Sequence, residues 1–402
     1  MTHVLSVIDD LGFGGGENRL LTFARTIDRR RFRHSVLAIR AAAACPPQSS
    51  AMRAQYAAAG VNVVDLGEGD AARGRPLAAR VPGAARRLAR KVRRLRRVMR
   101  DQRVDVVDAH LESAGVVAAL ATAGTPVPCA LTLYSARPPA AVPAWDAIGR
   151  FAIWNARATI TDSDVRADDI RTWMRPARVR VFVIPNGVVP PRPARPPDEV
   201  RRSLAIPCGA HVRVVAQIGG LVPYKGYGVL LHAARLILAA RRDVYFLLVG
   251  FERPGSGYAA HLQREAAALG VAAHTRIVSY PGPIGDIWSI VDVHAHATLF
   301  DSLPNAILEG MALAKPAVVT AVGGIPDAVE HGRTGLVVRP DCPDDLAAAL
   351  LRLLDDPDRA RRLAEAAHDR YRDEYRPDVM TGRLEALLES LARARADGPW
   401  IA

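Results

Sequence analysis

Two carboxylates, Asp301 and Glu309, stand eight positions apart in "LFDSLPNAILEG" (299–310), on either side of a Ser-Leu-Pro-Asn step that opens a helix. Pro304 is tolerated in a first turn, where one backbone N–H has no partner anyway. Asp301 then precedes the helix and Glu309 falls in its second turn. Amides near Leu303, Asn305 and Ala306 suit an anion, and the two carboxylates accept hydrogen bonds from hydroxyls beside it. An anion flanked by vicinal hydroxyls describes a sugar nucleotide. The plainer alternative makes Asp301 a cap and Glu309 a solvent-facing helix residue.

Other segments offer compatible chemistry. "GLVPYKGYG" (220–228) sets Lys225 in a turn after a strand, where an ammonium could neutralise a diphosphate or simply be solvated. "VDAHLES" (107–113) ends a strand on His110, at the edge where open α/β sheets hold ligands. That ring is either functional or a structural hydrogen-bonding group. Gly14, Gly15 and Gly16 before Glu17 allow close backbone approach to a ligand at a helix opening. A nicotinamide site fits poorly there: Glu17 replaces the last glycine of G-x-G-x-x-G, and the next strand ends on Arg40 rather than an acid. "VGGIPDAVEHGRTGLVV" (322–338) supplies a further Gly-rich turn at Gly323 and Gly324.

These residues need strand ends to hold them, and the pattern supplies strands. Short apolar runs alternate with helix-period segments throughout, the signature of α/β parallel sheets wrapped by helices. The first half reads "HVLSVI", "RHSVLAI", "VNVVDL", "VDVVDAH", "PCALTL", "ATITDS" and "VRVFVIP"; the second reads "VRVVAQI", "VYFLLVG", "HTRIVSY", "VDVHAHA", "PAVVT" and "GLVV". Both halves open as strand, Gly-rich turn and helix, which predicts two Rossmann-like domains facing each other across a cleft with a shared site. The expected divisions are an N-terminal domain over 1–187, a Pro-rich linker over 188–210, a C-terminal domain over 211–375 and a C-terminal helix over 376–402 that packs back toward the first domain.

At 402 residues, half of them hydrophobic, the chain exceeds a single small module. Cys45, Cys129, Cys208 and Cys342 are scattered singly, which suits a reducing compartment, and no signal peptide or membrane-spanning run is legible. A cytoplasmic location follows as an expectation. Net charge is +13, and all of the excess lies before residue 188: 29 Lys and Arg against 16 Asp and Glu there, 25 against 25 afterwards. Much of it sits in "RRLARKVRRLRRVMRDQR" (86–103), where Leu88, Val92, Leu95 and Met99 form one apolar stripe. The basic faces are expected to be solvated, with peripheral docking on an anionic inner membrane face as a second role. Nucleic acid is not expected, because no aromatics interrupt that helix.

Taken together, "VPYKG", "VIPNGV" (183–188) and "DSLPNAILEGMALAKPAVVTAVGGIPDAVEHGRTGLVV" resemble family 4 of the retaining glycosyltransferases, which have the GT-B fold; "GGGEN" and the "DAH" strand end match more loosely. The resemblance implies that Glu309 binds the nucleotide ribose, Asp301 the donor sugar and Lys225 the diphosphate. Ser279, Gly220, Gly323 and Gly324 would hold the nucleotide together with the amides of Leu303, Asn305 and Ala306. Gly15, Gly16, Glu17, His110 and Glu112 would face the acceptor, with Gly15 and Gly16 also against the donor and His110 as a hydrogen-bond donor beside the reacting sugar. Two positions depart from the family: Asp301 stands where many members have Glu, and Gly220 where many have Arg.

The implied reaction moves a sugar from a UDP- or GDP-sugar, with retention, to a small-molecule, natural-product, glycan or lipid-linked acceptor. The diphosphate would take the acceptor's proton in a front-face attack. No Asp-x-Asp stands at a strand end, since the acids of "TDSDVRADD" open a helix, so no metal and no cofactor beyond the donor is expected. The alternatives are a sugar-nucleotide epimerase on the same architecture, or a basic membrane- or nucleic-acid-binding module without catalysis.

Overall fold

The computed structural model describes the chain except residues 13, 41–47, 69–76, 111, 135–142, 210, 254, 281 and 395–402. Its backbone divides into two units: residues 1–187 with 377–402, and residues 188–376.

Unit 1 is built on a seven-stranded sheet: β1 (Thr2–Ile8), β2 (Phe32–Arg40), β3 (Asn62–Glu68), β4 (Val106–His110), β5 (Cys129–Thr132), β6 (Ala158–Thr161) and β7 (Val181–Val183). Their order is β3-β2-β1-β4-β5-β6-β7, and every pairing is parallel. The strands read as continuous apolar runs because helices cover both faces. In β1, Val4 and Ile8 enter the core on one face, while Leu5 and Val7 enter the core on the other.

The basic helix, Leu77–Asp101, lies on the second face. Leu95 and Met99 are buried there and Leu88 and Val92 partly so, which is the stripe expected from the sequence. Part of its charge is used within the fold: the Arg96 guanidinium donates to the carbonyls of Leu120, Ala121 and Ala123, capping the helix Glu112–Thr122. The helix Pro377–Ala394 closes the first face with Met380, Leu384, Leu387, Leu388 and Leu391.

Unit 2 repeats the plan with six strands: β8 (Arg213–Ile218), β9 (Val244–Val249), β10 (Thr275–Val278), β11 (Val293–His296), β12 (Ala317–Thr320) and β13 (Leu336–Val338). Their order is β10-β9-β8-β11-β12-β13, again all parallel. Residues 188–209, expected as the first part of a Pro-rich linker over 188–210, belong to unit 2. Pro197 opens a short helix, Pro197–Ser203, and Val188, Val200 and Ile206 are buried. The Asp286 carboxylate accepts from the backbone N–H groups of Ala194 (2.6 Å) and Arg195 (3.1 Å) and so pins the proline-rich stretch to unit 2. Proline prevents a long helix or a central strand here, but it does not prevent packing. Among the described residues no helix is long and apolar enough to cross a membrane.

Candidate functional site

In both units the strand order reverses between the first strand and the fourth, so the ends of β1 and β4, and of β8 and β11, flank a topological switch point, where open α/β sheets bind ligands. The candidate residues fall at these ends.

In unit 2, β8 runs into Gly219 and Gly220, a 3₁₀ turn over Pro223–Lys225, and the helix Tyr227–Ala240. Gly226 joins turn to helix at φ +69°, and a Cβ there would come 1.9 Å from the Ala297 carbonyl oxygen. Only glycine lets the turn lie so close to the end of β11. Buried Gln217 ties the two together, donating from Nε2 to the Lys225 carbonyl (2.6 Å) and accepting from the Ala297 N–H (3.3 Å). Lys225 is thereby delivered to Asp301, and its ammonium donates directly to Asp301 Oδ2. The other carboxylate oxygen accepts from the Ser302 N–H at 3.2 Å. Burial alone would raise the Asp301 carboxyl, but His296 and Lys225 together hold it below the usual range.

The helix after Asp301 spans Asn305–Ala312, three residues later than the Ser-Leu-Pro start read from sequence, with Pro304 at its N-cap. Glu309 lies in its second turn and is half-buried. Its Oε2 accepts the indole N–H of Trp288 at 3.1 Å, and burial pushes its carboxyl up to about 7. Trp288 meets His294 edge to face (5.0 Å), and His294 meets His296 (5.5 Å). This wall of three buried rings stands behind both acids, and sequence reasoning missed it. Its signal was the alternation in "VHAHA", which puts two histidines on one face of β11.

The turn at Gly323 and Gly324 serves packing first. Gly323 has φ +51°, and a Cβ there would lie 2.0 Å from the Asp301 carbonyl oxygen; the Gly324 N–H donates to the Ser302 carbonyl at 3.0 Å. The Gly324 amide is thus already engaged rather than offered to a nucleotide. Ser279 is exposed just after β10. Gly220 has no heavy atom within 4 Å of an added Cβ, so space exists for the side chain that many family members carry there.

In unit 1, the helix Gly15–Thr26 begins beyond β1. Gly15 is exposed and Gly16 buried, and the Glu17 carboxylate folds back over Gly14. Burial raises the Glu17 carboxyl, with Asp10 and Asp9 adding to the effect. The side chain of Glu112 lies outside the described residues.

His110, by contrast, is 1% exposed with both ring nitrogens occupied: Nε2 meets Asp108 Oδ2 at 2.8 Å and Nδ1 meets the Tyr134 hydroxyl at 3.1 Å. Burial would raise Asp108, yet the charge and hydrogen bond of His110 pull it below the usual range, so it accepts and Nε2 carries the hydrogen. Nδ1 then faces the Tyr134 hydroxyl, which can donate to it or accept from it. Arg19, also missed, is buried in the same unit. Its Nη1 donates to the Ile184 carbonyl (2.6 Å) and Asn186 Oδ1 (2.9 Å), fixing the "IPNG" turn, and its guanidinium lies 5.9 Å from the Tyr134 ring centre.

Among the described residues no group of three or more His, Cys, Asp or Glu side chains is placed to hold a metal ion.

Known proteins resemble this chain in sequence and fold. Residues 212–356 match the family model described as glycosyl transferases group 1, and residues 14–187 match a glycosyl transferase 4-like domain. The alpha-maltose-1-phosphate synthase of Mycolicibacterium smegmatis is 31% identical over 301 residues, covering 67% of this chain and 75% of that relative. The D-inositol 3-phosphate glycosyltransferase of Corynebacterium urealyticum is 29% identical over 259 residues, 61% of this chain and 59% of that relative. With several enzymes of that second name the match spans only about half of the relative's length. Among solved structures, Anabaena HepE in complex with UDP and glucose superposes with a TM-score of 0.79 at 21% identity, covering 97% of this chain and 100% of that one. A glycosyltransferase from Rickettsia africae superposes equally well at 15% identity, covering 97% and 98%.

Proposed function

The chain belongs to family 4 of the glycosyltransferases, and from that premise we propose that it moves a sugar, with retention and without a metal, from a nucleoside-diphosphate sugar to a hydroxyl-bearing acceptor. The observation that carries the donor half is the grouping of Lys225, Asp301 and Glu309 at the switch point of unit 2. Glu309, steadied by Trp288, accepts hydrogen bonds from the ribose hydroxyls. Asp301 accepts from a hydroxyl of the donor sugar. Lys225 neutralises the charge that builds on the diphosphate as the glycosidic bond breaks, the moment at which a preorganised cation acts most strongly. On the acceptor side, the Asp108–His110–Tyr134 chain of unit 1 offers Nδ1 to a hydroxyl that displaces that of Tyr134.

UDP is the first nucleotide to test, since HepE binds it, and GDP and ADP follow. The relatives named for sugar phosphates make phosphorylated polyols and sugars the first acceptors to screen. A thermal-shift panel of UDP, GDP, ADP, TDP and their sugars, with and without Mg²⁺, tests the donor half, because a ligand that binds only the folded state raises its melting temperature. The expected result is one nucleotide diphosphate stabilising equally well with EDTA. Silence across the panel would overturn the reading. Formation of a rearranged sugar with no acceptor present would replace it with an epimerase.

A further inference from the structure

Arg19, in the helix Gly15–Thr26, brings more donors to unit 1 than the fold uses. Its Nη1 donates to the Ile184 carbonyl and to Asn186 Oδ1, both neutral acceptors, and a side-chain amide nitrogen would supply those two hydrogen bonds without a charge. The residue is 1% exposed, and its Nε and Nη2 are buried with no hydrogen-bond partner. These two atoms form the edge of a guanidinium whose parallel N–H bonds meet both oxygens of a carboxylate or a phosphate. Burying a cation with that edge unmade is costly, and such a group calls for an explanation.

Its neighbours supply one. The guanidinium carbon lies 5.9 Å from the centre of the Tyr134 ring, a contact that favours the charge but accepts none of its N–H bonds in the plane of the group. The same ring stacks on His110 at 6.5 Å and brings its hydroxyl to His110 Nδ1. An acceptor hydroxyl that displaces the Tyr134 hydroxyl moves this ring, and the ring it moves is the one resting on Arg19. We propose that the Nε–Nη2 edge of Arg19 is an anion subsite that takes a phosphate or carboxylate carried by the acceptor itself. This rests on the transferase reading above and narrows its acceptor to an acidic polyol or sugar.

The charges nearby leave the edge to a ligand. Burial would raise the Asp108 carboxyl, and His110, followed by Arg19, pulls it below the usual range. That acid is already committed to His110 through Oδ2, so it steadies the charge of Arg19 without occupying Nε or Nη2. Lysine at position 19 would keep the charge but lose the rigid fork, which separates recognition of a two-oxygen anion from attraction to charge alone.

The test follows the Nε–H of Arg19 by ¹H–¹⁵N NMR, since a buried N–H exchanges slowly with water. Its signal is the one missing from Arg19→Lys or, should that variant not fold, the one with through-space transfer to the Tyr134 ring. Wild-type protein without donor is titrated with myo-inositol 1-phosphate, glucose 1-phosphate, glucose 6-phosphate and glucuronate, each beside its neutral parent, and with inorganic phosphate. At least one of the four acids is expected to move the Arg19 signal saturably while its parent does not. Arg19→Lys should weaken that acid about tenfold or more and leave the nucleotide Kd within twofold. A signal that no anion moves overturns the subsite, as does an equal loss of acid and nucleotide affinity in the lysine variant. Inorganic phosphate binding as tightly as every one of the acids assigns the edge to the free ion and overturns its part in acceptor choice. These titrations use no donor, so their failure leaves the transferase reading standing, whereas silence across the nucleotide panel overturns that reading whatever Arg19 binds.

Discussion

The buried histidine at the switch point of unit 1 is hydrogen-bonded on both sides, and the two at that of unit 2 are not. In unit 1 the His110 ring is hydrogen-bonded at both nitrogens, to Asp108 and to the Tyr134 hydroxyl, an arrangement that orients it. In unit 2, Glu309 carries a carboxyl pushed up to about 7, Lys225 is held by Asp301, and four imidazole nitrogens of His294 and His296 have no hydrogen-bond partner. Two sheets with the same strand order thus differ in how their buried rings are held. Unit 2 is expected to bind tightly and unit 1 to act on turnover.

Breaking unit 1 should give the largest effect. His110→Ala removes the ring offered to the acceptor hydroxyl and leaves Asp108 a buried carboxylate without its ring partner, so kcat should drop about 100-fold or more while nucleotide Kd stays within twofold. Steady-state rates together with a nucleotide titration check this; a weakened nucleotide would erase the contrast between the units. Next in size, Lys225→Ala should weaken the bare nucleotide diphosphate about 10- to 100-fold, the range for losing a charged hydrogen bond. Unchanged affinity there would remove the diphosphate from this turn.

These contrasts were unevenly legible in the sequence. All thirteen strands of the described residues could be read from apolar runs bounded by turns, because a parallel sheet covered on both faces leaves an unbroken hydrophobic record. The positions of Lys225, Asp301 and Glu309 were visible because each sits next to a Gly or Pro signal that fixes the local backbone. The setting of His110 was only half legible: Asp108 stands two residues back on the same strand face, but Tyr134 lies beyond β5, whose adjacency to β4 is a fact of strand order. Trp288 was invisible for the same reason: it meets Glu309 from a separate helix, Ile284–Ser289, 21 residues away. The proline-rich stretch misled because composition records what backbone a segment cannot adopt, while the Asp286 carboxylate that anchors it is a tertiary contact.

Glu309 sharpens the comparison, since binding and stability should move in opposite directions there. A carboxyl whose pKa rises on folding holds its proton in the folded protein at pH values where the unfolded chain has lost it, so stability falls as pH rises through the interval that ends near 7. The cost is complete above pH 7 and absent below the ordinary carboxyl range. Glu309→Gln removes it, and at pH 8 the unliganded variant should melt about 2–4 °C higher than the wild type, with no such gain at pH 4. The same variant should bind the nucleotide more weakly, because an amide accepts ribose hydroxyls less well than a carboxylate. Wild-type nucleotide affinity should for its part fall as pH drops from 8 to 6 and Glu309 takes up its proton. A variant that melts lower at pH 8 would mean that the Trp288 bond outweighs the burial of the charge.

The smallest effect is expected where unit 2 departs from its family. Gly220 stands in the turn with no atom within 4 Å of an added Cβ, and its φ lies outside the left-handed region that would demand glycine. An arginine can therefore be introduced without displacing the turn, and its guanidinium would offer the diphosphate a second fixed set of donors. Exposure limits the gain: a partly solvated charged contact is worth about 1 kcal/mol or less, so Gly220→Arg should tighten the nucleotide diphosphate by about three- to fivefold. The gain should shrink as salt is raised, because the added charge is screened while the buried Lys225 contact is screened much less. Titrations at two ionic strengths separate these contributions. If the affinity falls instead, the space beside Gly220 is already occupied by the nucleotide, and the glycine is there to admit it.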